Sequence, residues 1–134
     1  SPRPAMNFKS FLALATIVGG ALAQQIHGTA VTYTITDTTS LPCLGAGVPA
    51  NRVNIVKNVL ANGNYVVVPG LPLANCGSAV FYLNQVDSST SYTAYAVGVS
   101  PDSTLGLGPA AWAESAGGAT SFNAVWVVSP TNGR

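Results

Sequence analysis

Residues 75–128 read NCGSAVFYLNQVDSSTSYTAYAVGVSPDSTLGLGPAAWAESAGGATSFNAVWVV. Apolar and β-branched runs at 79–83, 92–99 and 122–128 are strand-like, with Asp87-Ser88-Ser89 expected to turn between the first two. Between the last two stands one helix candidate at 109–116. Gly108 sits at its N-cap, Pro109 at its first helical position and Gly117-Gly118 as its stop.

The preceding segment has the same punctuation. From Thr29 to Thr36 the chain alternates, with Val31, Tyr33 and Ile35 on one face and threonines on the other, which predicts a half-buried strand. Residues 37–49 form a Thr, Pro and Gly rich loop containing Cys43. Residues 52–59 fit neither period cleanly and are open between strand and short helix. Asn62-Gly63-Asn64 signals a turn, residues 65–68 a short strand, and Pro69-Gly70-Leu71-Pro72 an irregular connection. About six short strands and a lone helix describe a small closed all-β domain, although periodicity does not separate a barrel from a sandwich.

Composition limits the partners. The chain has 134 residues, 48% hydrophobic and 7% charged, enough for one modest domain. So little charge, with no basic patch, argues against a nucleic-acid partner. Part of the hydrophobicity belongs to residues 6–23, where a charged start, an apolar run and Ala21-Leu22-Ala23 read as a signal peptide. That run is too short to span a bilayer. Residues 1–5, with Pro2-Arg3-Pro4, read as an expression scar or a misplaced gene start, so residues 24–134 are expected to form a single secreted domain. Beyond residue 23, three basic side chains face four acidic ones, and solubility must come from Ser, Thr, Asn and Gly.

Two cysteines, Cys43 and Cys76, are expected to form one disulfide in an exported chain. Zinc is a poor rival, because one His and two isolated Cys do not supply clustered ligands. No cofactor motif is present: there is no phosphate loop, no H-E-x-x-H and no G-x-S-x-G elbow. His27 is the single histidine and lies beside the expected cleavage point, where chain ends are usually mobile.

Cys76-Gly77-Ser78-Ala79 resembles the C-G-x-C element of cerato-platanins and expansin-like proteins. Leu107-Gly108-Pro109-Ala110-Ala111-Trp112 resembles the N-P-T-A-F or L-S-P-A-A-F element that opens their short helix. Val31-Thr32-Tyr33-Thr34 is similar to the V-S-Y-D start of the cerato-platanin barrel, and Gly98-Val99 to a G-V before its loop. The resemblance covers roughly residues 28–128 and implies a six-stranded double-psi β-barrel with one or two short helices. It also implies the Cys43–Cys76 pairing, with the family's second bridge missing because Ala79 stands at one of its positions. A fungal source is implied as well.

Barrel relatives that cleave polysaccharide use an aspartate near the helix element as general acid. The corresponding positions here are Gly98 and Gly106, and glycine moves no proton. Asp102, four residues from each, is either a relocated acid or a turn residue in Ser100-Pro101-Asp102-Ser103. Asp37 reads as a strand-end turn former, and Glu114 as an exposed helix residue. Trp112 and Trp126 read as core, while Tyr33 and Tyr95 are the better candidates for stacking on a sugar ring. The expected function is a secreted, non-catalytic, monomeric protein that binds or loosens cell-wall chitin, cellulose or glucan, with Tyr33, Asp37, Tyr95 and Asp102 as candidate contacts. The alternatives are an effector or protease inhibitor acting on a host protein through residues 40–49 and 69–75, or a surface-active structural protein.

Overall fold

The computed structural model describes residues 25–129. The expected signal peptide at 6–23 and the segment 1–5 lie outside the described residues. Six strands close into a barrel in the order β1-β5-β2-β4-β3-β6. They are β1 Ile26–Thr32, β2 Tyr65–Val68, β3 Ala79–Asn84, β4 Asp87–Val99, β5 Leu105–Leu107 and β6 Phe122–Val128. Two helices, α1 Ala50–Asn62 and α2 Pro109–Ser115, pack on it. Most neighbours are antiparallel, but β1 pairs parallel with β5 and β2 parallel with β4. Closure gives each of these strands a neighbour on both sides.

The sixth strand is not where the sequence led us to look. Residues 52–59 belong to α1, whose apolar Val53, Val56, Val59 and Leu60 share the inward face. Out-of-phase Ile55 obscured that period. The true sixth strand is the Leu105-Gly106-Leu107 triplet, wholly buried and too short to carry any period. The first strand also differs from expectation. It starts at Ile26 and leaves the sheet after Thr32, with His27 paired to Val125 inside the ladder rather than on a loose chain end. Beyond it the chain stays extended: the Tyr33 N–H donates to the Leu107 carbonyl at 2.8 Å and the Ile35 N–H to Tyr65 Oη at 2.9 Å. The expected alternation therefore persists to Thr36 without a sheet partner, Tyr33 and Ile35 half-buried and the threonines exposed.

The turn expected at Asp87-Ser88-Ser89 lies two residues earlier. Asn84 Oδ1 accepts the Val86 N–H at 3.2 Å, Asn84 pairs with Asp87, and the polar residues after it run extended into β4. At the α1–α2 junction, Gly63 ends α1 at φ 83° with its N–H on the Val59 carbonyl, the left-handed stop that glycine adopts without a Cβ penalty. The Gly63 carbonyl then accepts N–H groups of Ala110 at 3.1 Å and Ala111 at 3.4 Å, satisfying donors that the start of a helix leaves open. A Cβ on Gly108 would stand 2.6 Å from that same carbonyl, so glycine there permits the junction.

Cys43 and Cys76 are bonded, with Cα atoms 5.3 Å apart. The bridge ties the short helical turn Pro42–Leu44 to its counterpart Leu73–Asn75. The core beneath is formed by Trp126, Tyr82, Leu105, Leu107, Val66 and Val80, all fully buried. Trp112 is half-buried and stacks on Phe122 at 5.5 Å. Among the described residues, no helix is long and apolar enough to cross a membrane.

Candidate functional site

Where β1 leaves the sheet, its extension forms one wall of a groove of about 360 Å³. Tyr33 and Asp37 line that wall, Leu41 and Pro42 the loop side, and Val67 and Gly98 the barrel side. The wall is held at three places: Tyr33 by the Leu107 carbonyl, Ile35 by Tyr65, and the loop beyond by the bond from Cys43 to Cys76.

Gly106 and Gly98 behave differently here. A Cβ built on Gly106 would lie 2.5 Å from Val67 Cγ2, 2.8 Å from Tyr33 Cβ and 3.1 Å from Tyr33 Cγ. The Tyr33 side chain thus starts out across Gly106, in the space a carboxylate at that position would need. A Cβ on Gly98 would meet Leu41 Cδ2 at 3.5 Å and Val67 Cγ1 at 3.7 Å, ordinary contact distances. Packing closes position 106 to a side chain, whereas position 98 admits a Cβ and carries none.

Among the described residues, Asp37 is the only charged side chain lining the groove. Its Oδ1 accepts from Thr39 Oγ1 at 2.6 Å and from the Thr39 N–H at 3.0 Å. These bonds, the side-chain one foremost, hold its carboxyl below the ordinary 3.8, because they favour the charged form. Asp37 is therefore an acceptor at neutral pH and cannot lend a proton. Asp102 repeats the pattern: Thr104 Oγ1 at 2.6 Å and the Thr104 N–H at 2.8 Å donate to its Oδ1, and its carboxyl too is lowered, by the Thr104 hydroxyl first. It sits in an exposed turn and is not among the groove residues.

The four candidate contacts thus divide. Tyr33 and Asp37 are brought together in the groove, whereas Tyr95 is half-buried on β4, between Tyr65 and Ala79 in the neighbouring strands, and Asp102 caps its own turn. Sequence reading missed the loop-side lining from Leu41 and Pro42, which the fold brings against Gly98. Among the described residues no group of three or more His, Cys, Asp or Glu side chains is placed to hold a metal.

No protein-family model matches this sequence, and no curated protein does. Among solved structures, the chain is similar to the apo form of an expansin from Clavibacter michiganensis, with a TM-score of 0.52 and 18% identity over 78% of this chain and 50% of that one. It is also similar to a mutant of the same expansin in complex with cellohexaose, with a TM-score of 0.51 and 16% identity over the same shares. This chain therefore spans about half the length of the expansins it matches. With its closed six-stranded order and interleaved parallel pairs, it has the expansin-like double-psi β-barrel fold.

Proposed function

We propose that this chain is a secreted, non-catalytic barrel that binds cell-wall polysaccharide along the groove of Tyr33 and Asp37. The observation that carries the reading is the replacement of acid by aromatic surface: Tyr33 crosses the backbone of Gly106 at the groove wall. A tyrosine face can pack on the apolar face of a sugar ring. The ionised Asp37, with both Thr39 bonds on Oδ1, presents Oδ2 to sugar hydroxyls. Glycoside hydrolysis ordinarily needs a protonated acid as well, and among the described residues the groove lining supplies none.

The likeness to an expansin solved with cellohexaose supports a β-glucan of the cellulose type as the first ligand to try, with chitin second. The disulfide supports an oxidising, extracellular location. The test is retention of the disulfide-bonded protein on cellulose, chitin and β-glucan, with released sugar assayed alongside. Retention without release, weakened by Tyr33→Ala and Asp37→Asn, is the expected result. Sugar release, or retention indifferent to both substitutions, refutes it. A second reading rests on the loops at 40–49 and 69–75. The disulfide ties the first loop to Cys76, directly after the second, a Cβ built on Gly47 would lie 3.4 Å from Leu73, and Leu73 is 50% exposed, a surface suited to a protein partner. A stoichiometric complex with a protease and no polymer retention would favour it.

A further inference from the structure

A second cluster of apolar side chains lies apart from the barrel core. Leu83 faces Val125 and Phe81 faces Val127 across the β3–β6 pair. Their neighbours Val80, Tyr82, Ala124 and Trp126 belong to the core, so strand alternation turns this second set to the outside of the barrel. A sheet face turned outward is open to water unless something lies on it. Yet Leu83 and Val125 are 0% exposed and Val127 is 1% exposed. Among the described residues, Phe81 is the only further hydrophobic side chain packed against them. The helices lie elsewhere: α1 packs chiefly on β4 and β2, and α2 meets β3 through Tyr82 and Asn84, on either side of Leu83 in the strand.

The rim of this face carries a second sign that it is covered. Ile26 stands opposite Trp126 and His27 opposite Val125, so alternation turns Gln25 outward beside Val127. Its Nε2 is buried and has no hydrogen-bond partner, although an amide at the open edge of a barrel would be hydrated. Twenty-four residues precede Gln25, and within them residues 11–23, FLALATIVGGALA, carry no charge. The chain after Ser129 offers only PTNGR, too polar for this face. Because β1 is the neighbour of β6, the N-terminal segment joins the barrel beside Val125 and Val127. Wound as a helix, these thirteen residues would reach about 20 Å, well beyond the roughly 7 Å from Phe81 to Leu83 along a strand. We propose that residues 11–23 dock on the outer face of β3 and β6, so that a leader still attached closes an apolar surface that its removal opens. This docking is independent of what the Tyr33 groove binds.

The test uses the full chain, disulfide formed and residues 1–24 retained, with methyl labelling for NMR. The expected result is nuclear Overhauser contacts from the methyls of Leu83, Val125 and Val127 to methyls of residues 11–23. These contacts should persist on dilution and be absent between chains in a mixture of labelled and unlabelled protein. Leu14→Asp with Ile17→Asp alters no barrel residue. The double substitution is expected to abolish the contacts and to raise the fluorescence of a dye for exposed apolar surface several-fold, while the Val66 and Val80 methyl shifts stay unchanged. Retention on β-glucan is expected to be the same with and without it, so failure here and failure of the groove reading are distinguishable. Contacts seen only between chains would assign the face to a second copy and overturn the proposal. Absence of contacts in the wild type, or contacts and dye binding indifferent to the double substitution, would overturn it as well.

Discussion

Replacing Gly106 with alanine tests whether the groove exists because that position has no side chain. The new Cβ would stand 2.5 Å from Val67 Cγ2 and 2.8 Å from Tyr33 Cβ, about an ångström inside the 3.5–4.0 Å optimum for carbon pairs. Neither neighbour is a flexible end: Val67 is β-branched and buried, and Tyr33 Cβ moves only with a backbone held by Leu107. Overpacking of this kind costs about 1–3 kcal/mol. In a domain near 100 residues that corresponds to a fall in Tm of roughly 5–20 °C. Gly98→Ala is the control, because its Cβ meets nothing nearer than 3.5 Å. It is expected to range from neutral to about 1 kcal/mol stabilising. Thermal and denaturant unfolding of the two variants measures the contrast, and retention on β-glucan measures the groove. Gly106→Ala should lose both stability and retention through displacement of Tyr33. A wild-type Tm for Gly106→Ala, or an equal loss in Gly98→Ala, would refute the reasoning.

Three further outcomes are expected. Reducing the Cys43–Cys76 bond, which closes a separation of 33 residues, should destabilise the fold by about 3–4 kcal/mol and weaken retention through the Leu41–Pro42 side of the groove; a Tm unchanged in reductant contradicts this. Tyr65→Phe removes the acceptor of the Ile35 N–H and should cost about 0.5–1.5 kcal/mol, with faster amide exchange at Ile35 while the barrel strands stay protected. Asp37 and Asp102 have lowered carboxyls, so whatever stability they add is complete above the ordinary 3.8 and is lost as pH falls through their lowered values. Unfolding curves should accordingly show no pH dependence from either between pH 5 and 8, and Asp37→Asn should alter pH dependence only in acid.

The expected architecture was legible because the family-like elements are local. Cys76-Gly77 and the Gly108-Pro109 helix start each mark a turn or a helix start locally, and the alternation from Val31 marks an extended segment of which only the first two residues stay in the sheet. What sequence reading misplaced depends in part on contacts made far along the chain. Leu105–Leu107 is a strand only because β1 and β2 flank it, and three residues hold no period. α1 is ambiguous because Ile55 interrupts its stripe, while its end at the left-handed Gly63 is signalled locally by Asn62-Gly63-Asn64. The Asp87 turn shifted because the Asn84 side chain supplies the turn bond first. At the site, Tyr33 and Asp37 share one extended segment and could be paired from sequence, whereas the contributions of Leu41 and Val67 arise from the disulfide and the barrel register.

The two carboxylates closest to the places where a barrel of this kind would need an acid illustrate why motif position alone misleads. Asp37 and Asp102 both stand two residues before a threonine whose hydroxyl and N–H close on Oδ1. Each local bond pair stabilises the anion, so the same geometry that makes the turn removes the proton a general acid requires. Gly106 cannot replace them, because Tyr33 occupies its side-chain space. Gly98 has the room but offers no side chain. Tyr33 therefore does more than add an aromatic surface to an empty groove: its presence and the absence of an acid at 106 are one packing arrangement. A variant with an acid at this position would have to give up the tyrosine, exchanging a stacking surface for a proton donor.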